Sequence, residues 1–282
     1  MSEISAEQLI RIADALDRLA PPEAGQDDLR SYEGYLWDAS QRRLTGVETI
    51  HRMPVDTLVG IDSQKQALLE NTTYFASGFR ANNALLWGAR GTGKSSLVKS
   101  VHGAVLASGQ DIGLVEIQRE DLADLPEVMQ RLGSEKRQFI IFCDDLAFEQ
   151  NDISYKALKA VLEGGLRGRP ENIVFYATSN RRHLMPRQMI ENERGSAINP
   201  SEAAEEKISL SDRFGLWVGF HSVDQEKYLE MIAGYISFYN IPADWEDARQ
   251  QALRWAMARG NRSGRTAYQF ITHLAMIHKI SI

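Results

Sequence analysis

Five short apolar runs alternate with amphipathic segments through the middle of the chain. The runs occupy residues 84–87, 112–117, 139–143, 173–177 and 216–220. Continuous apolar runs of this length are typical of strands that are covered on both faces in a parallel sheet. Most of the segments between them carry apolar residues at helical spacing. This alternation predicts an α/β fold with a doubly wound, mostly parallel five-stranded sheet, which binds ligands at the carboxyl ends of its strands.

The N-terminal region has a helical pattern. A stripe of apolar residues in 5–20 predicts a first helix, which Pro21 and Pro22 end. Its members are Leu9, Ile12, Leu16 and Leu19. A second helix is predicted from a group of mostly aromatic residues, Tyr32, Tyr35, Leu36 and Trp37. We therefore expect residues 1–52 to form a small helical N-terminal extension, which either packs on the main body or acts as a partner-binding arm.

The C-terminal region, from residue 222 onward, is predicted to be wholly helical. Ser222 and Gln225 have the spacing of a capping box at the start of its first helix. Pro242 and Gly260 then separate three amphipathic segments. The chain is therefore expected to divide into the extension, an α/β domain at 53–221 and a helical lid domain at 222–282.

A glycine-rich segment joins the first apolar run of the α/β domain to the helix that follows it. It matches the phosphate-binding pattern G-x-x-x-x-G-K-[ST] and consists of Gly88, Ala89, Arg90, Gly91, Thr92, Gly93, Lys94, Ser95 and Ser96. Glycines allow the backbone N–H groups to converge on phosphate oxygens at the start of a helix. Lys94 is expected to reach the β- and γ-phosphates and the Ser95 hydroxyl to ligate Mg²⁺. A chance glycine-rich turn is the alternative, and the order of strand, loop and helix argues against it.

Acidic and polar residues follow the next two buried strands. Asp144 and Asp145 come directly after the run at 139–143. One carboxylate there is expected to hold Mg²⁺ through water, and a second to polarise the water that attacks the γ-phosphate. If the acids merely ended a strand, the two charges would repel each other without a nearby cation. Thr178 and Asn180 follow the run at 173–177, where a polar side chain either contacts the γ-phosphate or simply ends the strand.

Two arginines are candidates for contact with a nucleotide. Arg213 lies beside the last predicted strand. A guanidinium can stabilise the charge on a transferring phosphoryl group, and for that role it must come from a neighbouring subunit or loop. Arg265 opens the last helix of the lid domain, from which it would report the nucleotide state; the alternative is an ordinary surface arginine at a helix start. A further group of basic residues, which is either a solvated face, a subunit contact or a DNA-contacting surface, comprises Arg167, Arg169, Arg181, Arg182, His183 and Arg187.

Composition narrows the class of protein. The chain has 282 residues, a formal net charge of −6 and ordinary hydrophobic content, so it does not coat nucleic acid through bulk charge. Its one cysteine, Cys143, lies in an apolar run, which favours a reducing compartment. There is no secretory signal pattern and no apolar run of membrane-spanning length. We therefore expect a cytoplasmic protein without membrane contact. The histidines show no metal-ligand spacing, so no structural metal is expected beyond Mg²⁺.

The ordered set of motifs resembles that of the AAA+ P-loop ATPases over residues 53–282. The amino-acid sequence around the loop, the acids and Arg213 further resembles that of a bacterial family of predicted AAA+ ATPases whose domain has no assigned function. The segment Arg213-Phe214-Gly215 is also similar to that of branch-migration motors and replication initiators. The resemblance is specific for the fold and the nucleotide, and it leaves the partner open.

The resemblance implies a role for each candidate residue. Val59 and Ile61 line the adenine pocket, Lys94 and Ser95 hold phosphate and Mg²⁺, and Asp144 lies in the outer shell of the metal. Asn180, or with less support Thr178, is sensor 1, Arg213 is the arginine finger and Arg265 is sensor 2. One departure stands out: Asp145 occupies the position of the usual glutamate and is one methylene shorter, so either hydrolysis is slow or Glu149 assists.

Two classes of function remain open at this point. The first is an oligomeric ATPase that uses Mg-ATP hydrolysis at subunit interfaces to remodel a protein or DNA partner, and Arg213 favours it. The second is a nucleotide-switched binding or adaptor protein with little turnover, and Asp145 favours it. A P-loop kinase ranks third, because it leaves the lid domain and Arg213 without a role.

Overall fold

The computed structural model describes residues 29–148, 153–163, 168–182, 184 and 212–282. The predicted first helix, Glu149 and three of the basic residues, Arg167, His183 and Arg187, lie outside these residues. The described strands are β1 (Gly34–Asp38), β2 (Arg43–Val47), β3 (Ala84–Gly88), β4 (Ile112–Glu116), β5 (Gln138–Cys143), β6 (Ile173–Ser179) and β7 (Leu216–Phe220). The described α-helices are α1 (Asp62–Ala76), α2 (Lys94–Ala107), α3 (Leu125–Gly133), α4 (Ile153–Glu163), α5 (Gln225–Phe238), α6 (Trp245–Arg259) and α7 (Gly264–Ile277), and 3₁₀ helices span Val55–Thr57 and Arg119–Asp124.

The seven strands form one sheet in the order β2-β1-β4-β5-β6-β3-β7. Every neighbouring pair is parallel except β1 and β2, which are antiparallel. The mostly parallel α/β fold is therefore confirmed, and β3 to β7 are the five strands that the apolar runs predict. The predicted number of strands is wrong, because β1 and β2 extend the sheet beyond β4.

The predicted helix around Tyr35 is also wrong, since these residues form β1. Tyr35 and Trp37 are buried while Leu36 between them is exposed, which is the two-residue period of a strand. Arg137 fixes this edge of the sheet, because its guanidinium donates hydrogen bonds to the backbone oxygen of Leu29 and to the hydroxyl of Tyr35. The strand pattern was obscured by four large apolar residues placed close together, which also fit one helical face.

Helices cover both faces of the sheet and create two apolar cores. Along β5, Phe139 and Ile141 face the core that α3 and α4 cover, while Ile140 and Phe142 face the core that α1 and α2 cover. All four side chains are fully buried. This two-sided burial explains why β5 appears in the sequence as an uninterrupted apolar run.

The three C-terminal helices enclose a third apolar core. The predicted cap at Ser222 is wrong: α5 begins at Gln225, so the capping residue is Asp224, whose carboxylate accepts a hydrogen bond of 2.8 Å from the Lys227 amide. Gly260 ends α6 with a left-handed φ of 67°. Met53 and Val59, from the segment before α1, pack against this core. The division of the chain into three domains remains a prediction.

Candidate functional site

The glycine-rich loop joins the end of β3 to the start of α2. Gly88 has a φ of 137°, and a Cβ there would lie 1.9 Å from the backbone oxygen of Phe220 on β7. The amide of Ala89 donates a hydrogen bond of 3.3 Å to that same oxygen. Gly91 and Gly93 have φ values of 73° and 94°, in the left-handed region that glycine adopts without strain. The predicted strand, loop and helix are therefore present, and the close approach of β7 explains the first glycine.

Lys94 occupies the first turn of α2 and is almost completely buried. Its Nζ atom donates hydrogen bonds to the backbone oxygens of Gly88, at 3.0 Å, and Ala89, at 2.7 Å. Burial lowers the pKa of Lys94, while the charges of Asp144 and Asp145 act in the opposite direction. The lysine is thus held beneath the loop, where its charge faces two carboxylates.

The two acids lie at the carboxyl end of β5. Ser95 Oγ donates a hydrogen bond of 2.5 Å to Asp144 Oδ1, so the hydroxyl and the carboxylate predicted to act on a metal are adjacent. Asn180 donates to Asp145 through its side-chain amide and accepts a bond of 3.2 Å from Lys94. The structure therefore connects the glycine-rich loop, both acids and the strand that follows them.

Mg²⁺ is bound in proteins by oxygen ligands such as hydroxyl and carboxylate groups, so the side chains of Ser95 and Asp144 fit such an ion. The glycines fit a bound polyphosphate for a separate reason. Their positive φ values turn the backbone of the loop around the start of α2, where the amide groups and the helix dipole favour an anion. The residues therefore fit both parts of a magnesium–nucleotide complex.

The C-terminal helices α5 and α7 supply one wall of the site. The amide of Arg265, at the start of α7, donates a hydrogen bond of 3.1 Å to the backbone oxygen of Gly91. Ser263 caps this helix by accepting a hydrogen bond from the Thr266 amide. The predicted start of the last helix thus contacts the glycine-rich loop directly.

These groups surround a cavity of about 660 Å³. The predicted site residues in its wall are Val59, Ile61, Arg90, Gly91, Thr92, Gly93, Lys94, Ser95, Ser96, Asp144, Asp145, Thr178, Asn180 and Arg265. Gly88 and Ala89 support the loop from behind through their contacts with Phe220 and Lys94. The structure brings this part of the predicted set together although it comes from distant parts of the chain.

Sequence reasoning missed several residues of the cavity wall. They are His51, Arg52, Met53, Leu58, Lys99, Met231, Tyr235, Gly264 and Tyr268. Met231 and Tyr235 lie one turn apart on α5, so their spacing alone does not distinguish a ligand wall from a helical core face. The segment at 51–53 precedes the first recognisable motif and carries no pattern of its own.

Arg213 stands apart from this group. Among the residues that the structure describes, it is not part of the cavity wall. Its guanidinium is partly exposed and forms an ion pair of 2.8 Å with Glu163, the last residue of α4. Within one copy of the chain, the structure thus places this arginine on the surface and outside the cavity.

The parallel sheet, the glycine-rich loop before α2, the paired acids on β5 and the helical domain against the loop define an AAA+ P-loop ATPase. More particularly, the chain belongs to the family described as "Protein of unknown function (DUF815)", which matches residues 30–277. No curated protein matches the sequence.

The chain is similar to solved structures at low sequence identity, and one with a TM-score above 0.5 shows the same fold. The structure of the Aeropyrum pernix ORC1 protein in complex with DNA is similar over 80% of this chain and 62% of that chain, with 14% identity and a TM-score of 0.53. The Thermotoga maritima RuvB Holliday junction branch migration motor matches over 79% of this chain and 71% of its own, with 13% identity and a TM-score of 0.44. In the described residues, no helix is long and apolar enough to cross a membrane.

Proposed function

We propose that this protein binds Mg-ATP and hydrolyses it at the interface between subunits, and that hydrolysis remodels a macromolecular partner. The observation that carries the proposal is that the candidate catalytic residues of one chain do not all lie in the same cavity. Lys94, Asp144, Asp145 and Asn180 share one cavity, whereas Arg213 lies outside it on the same chain. In this proposal, Arg213 stabilises charge on the transferred phosphoryl group in the cavity of a second copy.

The residues of one copy have separate tasks in this proposal. Lys94 binds the β- and γ-phosphates, and Ser95 and Asp144 hold Mg²⁺, which neutralises charge on the phosphates when it is bound. Asp145 accepts the proton of the attacking water. Asn180 contacts both Lys94 and Asp145, and it orients the water between the phosphate and the base. Glu149 is the alternative base and lies outside the described residues.

The apolar side of the cavity is suited to the base of the nucleotide. Val59 and Ile61 precede α1, and Met231 and Tyr235 come from α5 in the lid domain. An apolar wall with aromatic rings gains energy by covering a flat heterocycle. Arg265 lies beside the glycine-rich loop, where its charge senses the phosphates.

A nucleotide-switched adaptor with little turnover is the second candidate. One observation favours it: the carboxylate of Asp145 is engaged by Asn180, and it is one methylene shorter than the glutamate usual at this position. A base held in this way activates water less effectively than a free, longer carboxylate. In that case ATP would alter partner affinity through the lid domain.

The partner class is a protein or DNA, and one local feature supports DNA. Arg182 lies over the ring of Trp87, with its guanidinium carbon 5.2 Å from the ring centroid, and Arg181 is exposed beside it. Aromatic rings with neighbouring cations are used to stack bases and bind phosphates. The cytoplasm is the compartment we propose, because the one cysteine, Cys143, is buried and free, and a chain without an intrachain disulfide is typical of a reducing compartment.

Mixing two inactive variants tests hydrolysis at an interface. Lys94→Ala removes the phosphate-binding charge but keeps Arg213, whereas Arg213→Ala keeps the cavity but removes the finger. Each variant alone should release no phosphate from ATP. In an equal mixture, about a quarter of the interfaces combine an intact cavity with an intact arginine, so about a quarter of the wild-type rate should return.

Light scattering with and without ATP, and the rate with and without added DNA, complete the test. An ATP-dependent increase in mass together with recovered activity supports the proposal. A monomeric mass with no recovery contradicts it. Tight ATP binding without turnover in the wild-type protein would then favour the switch.

A further inference from the structure

Thr178 contacts both acids of the site through one hydroxyl group. It is the sixth residue of β6, and its side chain is 1% exposed. Its Oγ1 donates a hydrogen bond to Asp144 Oδ1 and accepts one of 2.9 Å from the backbone amide of Asp145. Its backbone oxygen accepts a further bond of 2.7 Å from the Leu146 amide. The turn that carries the acids is therefore bound to β6 at three consecutive residues.

These contacts fix a turn that is conformationally unfavourable. Asp145 has a φ of 51°, in the left-handed region, which residues other than glycine seldom occupy. Such a conformation persists where surrounding contacts determine it. The bond from the Asp145 amide to Thr178, together with that from Leu146, supplies those contacts on either side of the turn.

The hydroxyl also limits the movement of the Asp144 carboxylate. Its Oδ1 atom accepts hydrogen bonds from both Ser95 and Thr178. In the proposed function Ser95 contacts the metal itself, so its hydroxyl is a ligand as well as a donor. Thr178 lies in the cavity wall but is 1% exposed, and it keeps its bond to Asp144 without taking part in the ligand set.

We propose that Thr178 is a positioning residue, which orients Asp144 towards Mg²⁺ and holds the Asp145 backbone in its turn. This inference rests on the proposed binding of Mg-ATP, and it assigns Thr178 the role of holding the two acids rather than that of contacting phosphate. Its consequence is specific. Removing the hydroxyl should impair the use of the metal while leaving metal-free nucleotide binding intact.

Three substitutions test this role. Thr178→Val removes the hydroxyl at nearly the same shape, and Thr178→Ser retains it. Thr72→Val is the matched control. Thr72, on α1, is also buried, and its hydroxyl lies 2.9 Å from the hydroxyl of Tyr176, which is on β6 like Thr178 but is not part of the cavity wall. Thermal unfolding followed by circular dichroism establishes that each variant is folded. If Thr178→Val does not fold, Thr178→Ala replaces it in every measurement.

Binding of a fluorescent ATP analogue, with excess EDTA and then across a Mg²⁺ titration, provides the measurement. We expect Thr178→Val to match the wild type within about twofold in EDTA, and to need about tenfold more Mg²⁺ for half of the metal-dependent gain in affinity, because a hydrogen bond to a charged group is lost. Thr178→Ser and Thr72→Val should keep the wild-type Mg²⁺ requirement within about threefold.

The possible results separate the two proposals. If the wild type binds the analogue with Mg²⁺ and Thr178→Val has the same Mg²⁺ requirement, the positioning role is wrong and Mg-ATP binding stands. An equal loss of affinity with and without Mg²⁺ also contradicts the role, since it would indicate a distorted loop. If the wild type does not bind the analogue, both the proposed function and this inference fail.

Discussion

Lys94 and Asn180 are joined by a hydrogen bond of 3.2 Å between the lysine Nζ and the asparagine Oδ1. The same side chain donates from its Nδ2 to Asp145, so one amide links the phosphate-binding lysine to the candidate base. An amide can accept from a cation and donate to a carboxylate at once, whereas a carboxylate or an ammonium group cannot do both. This geometry explains why an uncharged residue follows β6 between groups of opposite charge.

The first prediction concerns Asn180. In Asn180→Ala, nucleotide affinity should change little, because Lys94 keeps its place through the loop carbonyls. Phosphate release should fall by about a hundredfold, since the group that orients the water is lost. Stopped-flow fluorescence for binding and a phosphate-release assay for turnover separate the two effects. A turnover equal to that of the wild type would exclude Asn180 from the reaction.

Lys94→Ala should abolish ATP binding, because the charge that the loop directs at the β- and γ-phosphates is removed. The expected loss of affinity, measured by calorimetry, is at least about a hundredfold. Lys65→Ala is the control, since Lys65 forms an ion pair of 2.7 Å with Asp62 on α1. Unchanged affinity in Lys94→Ala would show that the cavity does not bind phosphate through this residue.

Asp145→Asn should bind ATP and fail to hydrolyse it. The substitution preserves the size of the side chain and removes its capacity to accept a proton, so turnover should fall by about a hundredfold or more. Glu149→Gln is the comparison that identifies the base. If Glu149→Gln loses turnover and Asp145→Asn does not, Glu149 has that role.

The Gly88→Ala variant should be strongly destabilised. The new Cβ would lie 1.9 Å from the Phe220 oxygen, a backbone atom that cannot move without shifting β7. We expect the free energy of unfolding in urea to fall by more than about 3 kcal/mol. In the control Gly109→Ala, φ is also positive, at 88°, but nothing lies within 4 Å, so only about 1 kcal/mol should be lost. Equal losses would place the cause in φ rather than in the contact with β7.

His102 should make the fold sensitive to mild acid. It is fully buried on α2, and burial lowers its pKa from 6.5 to about 4, although its ring lies 3.2 Å from the Ile112 backbone oxygen. Between these two values the unfolded chain binds a proton at this residue and the folded chain does not. Stability should therefore fall by about 3 kcal/mol as the pH decreases from 6.5 to 4.

Urea unfolding of His102→Gln between pH 7.5 and 4.5 checks this assignment. The glutamine amide can still donate to the Ile112 oxygen but takes up no proton, so the slope of stability against pH should become shallower. The pKa of His102 is also affected by the charges of Arg52, Glu33 and Arg137, and these three residues remain in the variant. His278→Gln serves as the control, and an identical slope in all three proteins would assign the acid sensitivity to other groups.

The sequence allows the central part of the fold to be predicted because most residues of β3 to β6 are buried, on both faces of the sheet. Burial of this kind favours apolar residues at consecutive positions, as at 139–143 in β5, and this pattern can be recognised without knowledge of tertiary contacts. β1 differs because its faces are unequal: Leu36 is 43% exposed while Tyr35 and Trp37 are buried. Its pairing with β4 follows from tertiary contacts, among them those of Arg137, and no local pattern records them.

The residues of the candidate site also fall into those that the sequence predicts and those that it does not. The loop glycines, Lys94 and the two acids form contiguous motifs, so their types and spacing predict them. The role of Thr178 depends on one hydroxyl lying between Asp144 and the Asp145 amide across two strands, which spacing along the chain does not reveal. The cavity wall from Met231 and Tyr235 depends equally on how the lid domain packs against the sheet.

The hydrogen bond from the Arg265 amide to the Gly91 oxygen has a practical consequence for dissecting the molecule. After the glycine-rich loop, the chain completes the sheet and forms α5 and α6 before it returns to that loop at the start of α7. A truncated variant that ends with β7 would lose the donor to Gly91 as well as the side chains of Met231, Tyr235 and Tyr268 from the cavity wall. Removal of the lid domain would therefore alter the loop that remains, so the sheet and the lid must be studied as one body.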